Sequence, residues 1–273
     1  MSDFRSEARR WLAAEPDADM REELESLLAG SDDELAIRFD GRLQFGTAGL
    51  RAAVGAGPQR MNRLVVQQAA AGLVDYLLKA EADAAARGVI IGYDARRKSD
   101  SFALDTARVC AAHGVRAMIF PHIVPTPVLA WNIVGVGAAA GVVVTASHNP
   151  PADNGYKVFT ANGAQIVSPI DAEIAACIDL IDPCGVLMAE PDDPLIEWLD
   201  DSYVQAYLAG VPAVRLRPEL DGVPVAYSAM HGVGGDTLVA AFDRAGLDTP
   251  FVVAEQQQPD AAFPTVSFPN PEE

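Results

Sequence analysis

Short, nearly all-apolar runs at 89–91 (VII), 116–120 (RAMIF) and 141–145 (GVVVT) alternate with segments of helical periodicity, and this alternation restricts the chain more than any other feature. Strands of continuous apolar character must be covered on both faces, which calls for a mixed, mostly parallel sheet sandwiched by helices. Helices are expected over 64–86, 100–113 and 127–134, and another around 170–181. Ahead of the first strand, residues 3–39 read as helices. Phe4, Ala8, Trp11 and Leu12 share one face, and Leu24, Leu27, Leu28 and Leu35 resume the pattern after the break at Pro16-Asp17.

Further on the rhythm stops and restarts. Residues 182–193 are rich in Pro, Gly and acids, the composition of a connection. A helix is then expected at 195–208, a strand at 223–229, a helix at 236–245 and a strand at 251–254. The resulting organisation is a helical extension over 1–40, an α/β domain over 41–190 and a second, incomplete α/β domain over 195–273. One βαβ unit is little with which to close a core. The sequence therefore reads as the N-terminal fragment of a longer protein.

Composition excludes several classes of function. Half of the 273 residues are hydrophobic and the mean hydropathy is +0.12, unlike a disordered chain. Lys and Arg number 20 against 38 Asp and Glu, a formal net charge of −18, which argues against nucleic acid as a partner. No apolar run approaches the ~18 residues of a membrane span, and the charged start MSDFRSEARR is no signal peptide, so a cytoplasmic location and no membrane partner are expected. Cys110, Cys177 and Cys184 are scattered and odd in number, neither a disulfide framework nor a metal knuckle. The sequence does not determine an oligomeric state.

The charge is unevenly spread. Residues 42–157 carry 12 bases and 7 acids, whereas 158–214 contain no Lys or Arg at all. A basic stretch inside an acidic chain can draw small anions such as phosphorylated metabolites; it can equally be a set of solvated helix faces.

The segment 145–159, TASHNPPADNGYKVF, follows a buried strand, and ligands of open parallel sheets bind at such strand ends. Ser147 sits there with His148 and Asn149 before two prolines that forbid regular structure. Asn154-Gly155 reads as a tight turn that returns Lys157 towards the serine. A hydroxyl near a His and a Lys is an activated nucleophile or a phosphoryl acceptor; a polar loop with Asx-type turns and a solvated Lys157 is the plainer alternative. Residues 135–141 (GVGAAAG) do not form a dinucleotide loop, because their spacing differs from G-x-G-x-x-G and they precede a strand.

The serine segment resembles the active-site loop of the α-D-phosphohexomutases, the phosphoglucomutase/phosphomannomutase superfamily. FGTAGLR at 45–51, GYDAR at 92–96, VPTP at 124–127 and HGVGG at 231–235 are similar to further segments of that family, in the same order. The extension and the serine loop look most like the branch with phosphoglucomutase-2 and related phosphopentomutases. The resemblance implies a mutase that moves phosphate between the 1 and 6 positions of a hexose (glucose or mannose) through phospho-Ser147 and a bisphosphorylated sugar. It equally admits a phosphopentomutase or a sugar-bisphosphate synthase; a non-catalytic phosphosugar-binding module is the remaining alternative.

On that basis Ser147, His148, Lys157 and Arg51 are the expected catalytic residues, and Thr47, Gly49, Asn149, Arg96 and His231 bind phosphate or order loops. Arg51 can fork onto phosphate oxygens, and Lys157 or His148 can carry the sugar hydroxyl's proton. The resemblance also implies one Mg²⁺, held partly by the phosphate on Ser147, with glucose 1,6-bisphosphate or a similar sugar as activator. The family's D-x-D-x-D-R metal loop is absent from these residues, so the fragment alone is expected to have little or no turnover.

Overall fold

The computed structural model describes residues 3–219, 222–266 and 269–271. The chain runs α1 (Phe4–Ala14), α2 (Ala18–Ala29), α3 (Asp32–Phe39), β1 (Leu50–Ala53), α4 (Arg63–Ala80), α5 (Ala84–Arg87), β2 (Val89–Tyr93) and α6 (Ser99–Ala112). It continues through β3 (Ala117–Ile119), α7 (Thr126–Val136), β4 (Ala140–Val144), β5 (Asp153–Thr160), α8 (Ile170–Ile178), β6 (Ile196–Trp198) and α9 (Ser202–Gly210), and then β7 (Ala226–Tyr227), α10 (Gly235–Arg244) and β8 (Phe251–Val252).

Six strands make one sheet in the order β1-β5-β4-β2-β3-β6. β4, β2, β3 and β6 are parallel neighbours, and β5 runs against both β4 and β1. The mixed, mostly parallel sheet expected from the sequence is present. Successive strand residues point to opposite faces, and here both faces are core. Val89, Ile91, Ala117, Ile119, Val142 and Val144 face the layer that contains α4, α6 and α8. Ile90, Met118 and Val143 face the layer that contains α7. Each fully buried Val, Ile or Met on these faces contributes roughly 1.5–3 kcal/mol, and a polar group placed there without a hydrogen-bond partner is costly.

The sequence expectations need three corrections. The helix expected at 195–208 begins only at Ser202, because Ile196–Trp198 forms β6 and pairs with β3. The first sheet therefore takes in a strand from the segment assigned to the second unit. Asn154-Gly155 is not a turn; both lie inside β5, and the reversal is made by the loop that precedes it. The helix expected over 64–86 stops at Ala80, with the short α5 after a turn. In the second unit, β7 and β8 pair in parallel across α10. No helix among the described residues is long and apolar enough to cross a membrane.

α1, α2 and α3 pack on the first core through Ala8, Trp11, Met20, Leu24, Leu35 and Phe39. Glu15, at the end of α1, is only 3% exposed. One of its carboxylate oxygens accepts the Asp17 N–H at 3.1 Å, and the other has no partner. Burial, opposed by that hydrogen bond, pushes the Glu15 carboxyl up from 4.5 to about 7. Between these two values the folded chain holds a proton that the unfolded chain has released, so stability falls as pH rises through that window. Glu15→Gln is expected to flatten this dependence and to stabilise the protein by about 1–3 kcal/mol near pH 8. Urea denaturation at about pH 5 and about pH 8 checks it, and equal midpoint shifts at both would contradict a charge effect.

Candidate functional site

In open sheets the ligand crevice lies beyond the strand C-termini where strand order reverses. β3 lies on one side of β2 and β4 on the other, so the reversal falls between β2 and β4. The loops that leave these strands, 94–98 and 145–152, define the site.

Ser147 is exposed and has φ of 55°, the left-handed region that costs a non-glycine residue about 1 kcal/mol. Its N–H donates to Thr145 Oγ1 at 2.9 Å, while its hydroxyl makes no hydrogen bond among the described residues. Arg96 fixes the loop from below. Its guanidinium donates to the carbonyls of Pro150 at 2.8 Å, Asp153 at 3.0 Å, Ser147 at 2.8 Å and Asn149 at 2.7 Å. The Arg96 Nε lies 3.6 Å from Asp94 Oδ2, and the Phe263 ring covers the guanidinium, 5.0 Å from ring centre to Cζ. Burial lowers the Arg96 pKa against the pull of Asp94 and Asp153.

Arg51 reaches the same loop by a different route. It stands in β1 opposite Gly155, and its Nη1 donates to Asn149 Oδ1 at 2.8 Å. Asn149 in turn donates to Asp153 Oδ2 at 2.8 Å. A side chain at Gly155 would place its Cβ 2.6 Å from the Thr145 carbonyl and 2.9 Å from that of Leu50. Glycine there lets β1 and the end of β4 close onto β5.

Lys157, opposite Val143 in the ladder, is half-buried and has no hydrogen bond or ion pair among the described residues. Burial pushes its ammonium below the usual lysine range, Arg51 adds to the effect, and Asp94 opposes it. An unpaired amine under such pressure is suited to exchanging a proton.

The 46–49 turn, where Gly46 and Gly49 bond to each other, rests on the backbone of β5. Gly49 has φ of 73°, and a Cβ there would lie 1.8 Å from the Tyr156 carbonyl oxygen and 3.2 Å from Lys157 Cα. Thr47 is exposed, and its carbonyl accepts from Gln165 at 2.7 Å. Gly49→Ala is expected to destabilise by about 2–4 kcal/mol, since the clash is with backbone and the φ favours glycine. A thermal melt reads it, and an unchanged midpoint would mean that the turn can lift off β5 freely.

Ser147, His148 and Arg96 line a cavity of about 360 Å³ together with His231 and Phe263 from the second unit. His148 is exposed and makes no hydrogen bond among the described residues. His231 is different. It is 5% exposed, with Nε2 2.8 Å from Thr265 Oγ1 and Nδ1 3.3 Å from the Gln258 carbonyl. Both ring nitrogens are engaged in holding the 256–266 segment, so of the two roles expected for His231 the geometry favours loop ordering.

Sequence reasoning missed several supports of the site. Asn154, read as a turn residue, is fully buried and donates to the Arg97 carbonyl at 2.9 Å and Ser99 Oγ at 3.0 Å. Ser99 in turn donates to Asp94 Oδ1 at 2.7 Å. Phe263 carried no signal, because a contact across 167 positions leaves no local pattern.

The described residues do not by themselves provide a magnesium site. Among the described residues no group of three or more His, Cys, Asp or Glu is placed to hold a metal ion, and Ser147 contributes one oxygen at most. Residues 267, 268, 272 and 273 lie outside the described residues.

The family model for phosphoglucomutase/phosphomannomutase, alpha/beta/alpha domain I, matches residues 42–183, and that for domain II matches 201–273. The chain belongs to the phosphoglucomutase/phosphomannomutase family. It is 47% identical over 216 residues to the "Probable phosphomannomutase" of Haemophilus influenzae, covering 78% of this chain and 44% of that protein. It is 37% identical over 281 residues to the phosphopentomutase of Mus musculus, covering 98% and 45%. To the human glucose 1,6-bisphosphate synthase it is 37% identical over 283 residues, covering 97% and 45%. A solved protein of Thermus Thermophilus with phosphomannomutase in its name superposes with a TM-score of 0.68 at 26% identity, over 83% of this chain and 48% of that one. The chain thus spans under half the length of these relatives.

Proposed function

We propose that Ser147 is the phosphoryl carrier of a phosphosugar mutase to which these residues contribute the serine loop and its cationic surroundings. The observation that carries the reading is the strained, solvent-facing Ser147, held over the strand crevice by the four carbonyl contacts of Arg96.

In the forward step a sugar hydroxyl attacks the phosphorus of phospho-Ser147. The new O–P bond forms as the P–Oγ bond breaks, Oγ takes up a proton, and the hydroxyl's proton passes to a base. Lys157 is the candidate for that base, because it is unpaired and its pKa is lowered; His148, exposed beside Ser147, is the alternative. Phosphoryl transfer depends chiefly on positioning and charge neutralisation. Arg51, already donating to Asn149 two residues beyond the serine, can turn to a phosphate carrying about −1.5 to −2 charges. Magnesium would neutralise further charge, but among the described residues no group of three or more His, Cys, Asp or Glu is placed to hold it.

A hexose 1- or 6-phosphate is the substrate favoured by the 47% identity to a protein named a phosphomannomutase. A pentose phosphate is favoured by coverage: the match to the mouse phosphopentomutase takes in 98% of the chain. The test is mass spectrometry of the peptide containing Ser147 after incubation with glucose 1,6-bisphosphate and, separately, a pentose 1,5-bisphosphate. Phosphate on Ser147 from the hexose donor supports the first reading and from the pentose donor the second. Binding of both without phosphorylation would leave only a phosphosugar-binding module.

A further inference from the structure

The matched family domains begin at residue 42, so they assign nothing to α1–α3. These helices nevertheless reach the support of the serine loop. The α1–α2 turn, taken as Asp17 at the N-cap of α2 together with the first turn of that helix, presents Asp17 and Asp19 to residues 97 and 98. Lys98 Nζ donates to Asp17 Oδ2 at 2.8 Å and to Asp19 Oδ1 at 2.9 Å, and Arg97 Nη2 donates to Asp19 Oδ2 at 2.6 Å.

Lys98 has φ of 66°, a conformation that a lysine adopts at a cost of about 1 kcal/mol unless its surroundings impose it. Its side chain is 16% exposed, as is that of Asp17, so this pair is shielded more than an ordinary surface ion pair. Asp17 is itself anchored 3.3 Å from Arg63, which forks onto the fully buried Asp105 at 2.6 and 2.7 Å. Asp17 is thus fixed from the core side where it meets Lys98, while Asp19 meets Lys98 and Arg97 from the more exposed start of α2.

The neighbours of Lys98 explain why its conformation matters. Arg96, two residues earlier, grips the serine loop through four carbonyls. Asn154, next to Asp153 in β5, donates to the carbonyl of Arg97. Ser99, one residue later, donates to Asp94. Residues 96–99 are a bracket between the helical extension and the 145–153 segment.

We propose that Asp17 and Asp19 are positioning residues: the α1–α2 turn holds Lys98 in its left-handed conformation and so keeps Arg96 aligned beneath the serine loop. The functional weight of this proposal rests on the phosphoserine reading, but the mechanical claim is separable from it.

The test is hydrogen exchange on the full-length protein carrying Asp17→Asn and Asp19→Asn together. Amides of 96–99 and 145–153 are expected to exchange about tenfold faster or more, while those of β3 stay at wild-type rates. Faster exchange confined to 15–20 would overturn the proposal. Asp32→Asn removes the Arg5–Asp32 pair of 2.7 Å elsewhere in the same extension and is expected to leave 145–153 unchanged; loosening of that loop in this control would also overturn it.

If the double variant loses protection in β3 as well, Asp19→Asn alone decides. Its side chain is 44% exposed, and it keeps the Asp17–Arg63 and Asp17–Lys98 contacts. Faster exchange at 96–99 and 145–153 in that variant supports the proposal, and wild-type rates there reject it. Asp19→Glu, which retains the charge, is expected to restore at least half of the lost protection; failure to do so counts against a charge-dependent brace. Phosphate on Ser147 of the wild-type protein is read separately. Its absence would remove the phosphoserine reading without bearing on whether the turn holds the loop.

Discussion

Ser147→Ala is expected to abolish phosphate incorporation from a sugar bisphosphate and to lower isomerisation by the full-length protein roughly 10³–10⁶-fold, the range seen when a catalytic nucleophile is removed. The same substitution should barely alter stability. The hydroxyl has no hydrogen-bond partner among the described residues, and alanine inherits the same positive φ. Ser147→Gly sharpens the contrast. Glycine accepts a φ of 55° without strain, so this variant is expected to gain about 0.5–1 kcal/mol while losing all phosphorylation. Paired denaturation and mass-spectrometric measurements check both halves. A Ser147→Ala protein that still turned over sugar phosphates would end the carrier reading.

Arg96→Met is expected to act in the opposite way, through structure first. It removes the guanidinium donor from the carbonyls of Ser147, Asn149, Pro150 and Asp153, of which that of Pro150 keeps the Asp153 N–H at 3.0 Å, in a place where Arg96 itself is only 5% exposed. Hydrogen bonds from a charged donor are each worth about 1.5–3 kcal/mol, and the loop will recover part of the loss by turning to water. A net destabilisation of about 3–5 kcal/mol follows, together with proteolytic cleavage within 145–152. Arg96→Lys should rescue little, because an ammonium presents its donors from one point and cannot span carbonyls on both arms of a guanidinium. Retention of wild-type stability in the lysine variant would show that charge, not the planar fork, holds the loop.

Much of the scaffold was legible from pattern alone. The apolar runs at 89–91, 116–120 and 141–145 correspond to β2, β3 and β4, because a strand covered on both faces has to be apolar at every position. β5 was missed for the converse reason. Its first residues, Asp153, Asn154 and Gly155, carry turn chemistry, and only the closing of β1 and β4 around Gly155 makes them strand. The helix placed over 195–208 failed at β6 because Ile196–Trp198 is too short to show a period, and it becomes a strand by pairing with the edge of β3.

The site divides in the same way. Ser147, Arg51, Asn149, Arg96 and Lys157 lie in recognisable segments, and the structure brings the first four together through hydrogen bonds. Their roles were less visible. Arg96 proves to be the keeper of the loop and His231 a tether for the 256–266 segment, since a side chain's partners are set by what the fold places opposite it.

The sequence by itself determined the alternating α/β plan, the family and the position of one exposed hydroxyl, that of Ser147, at a strand end, since these follow from local periodicity and contiguous motifs. Only the tertiary structure decided how that hydroxyl is held. The carbonyl cage around Arg96 and the hold of Asp17 and Asp19 on Lys98 join residues about 50 to 80 positions apart. Such contacts arise from packing in three dimensions, and no window along the chain contains both partners.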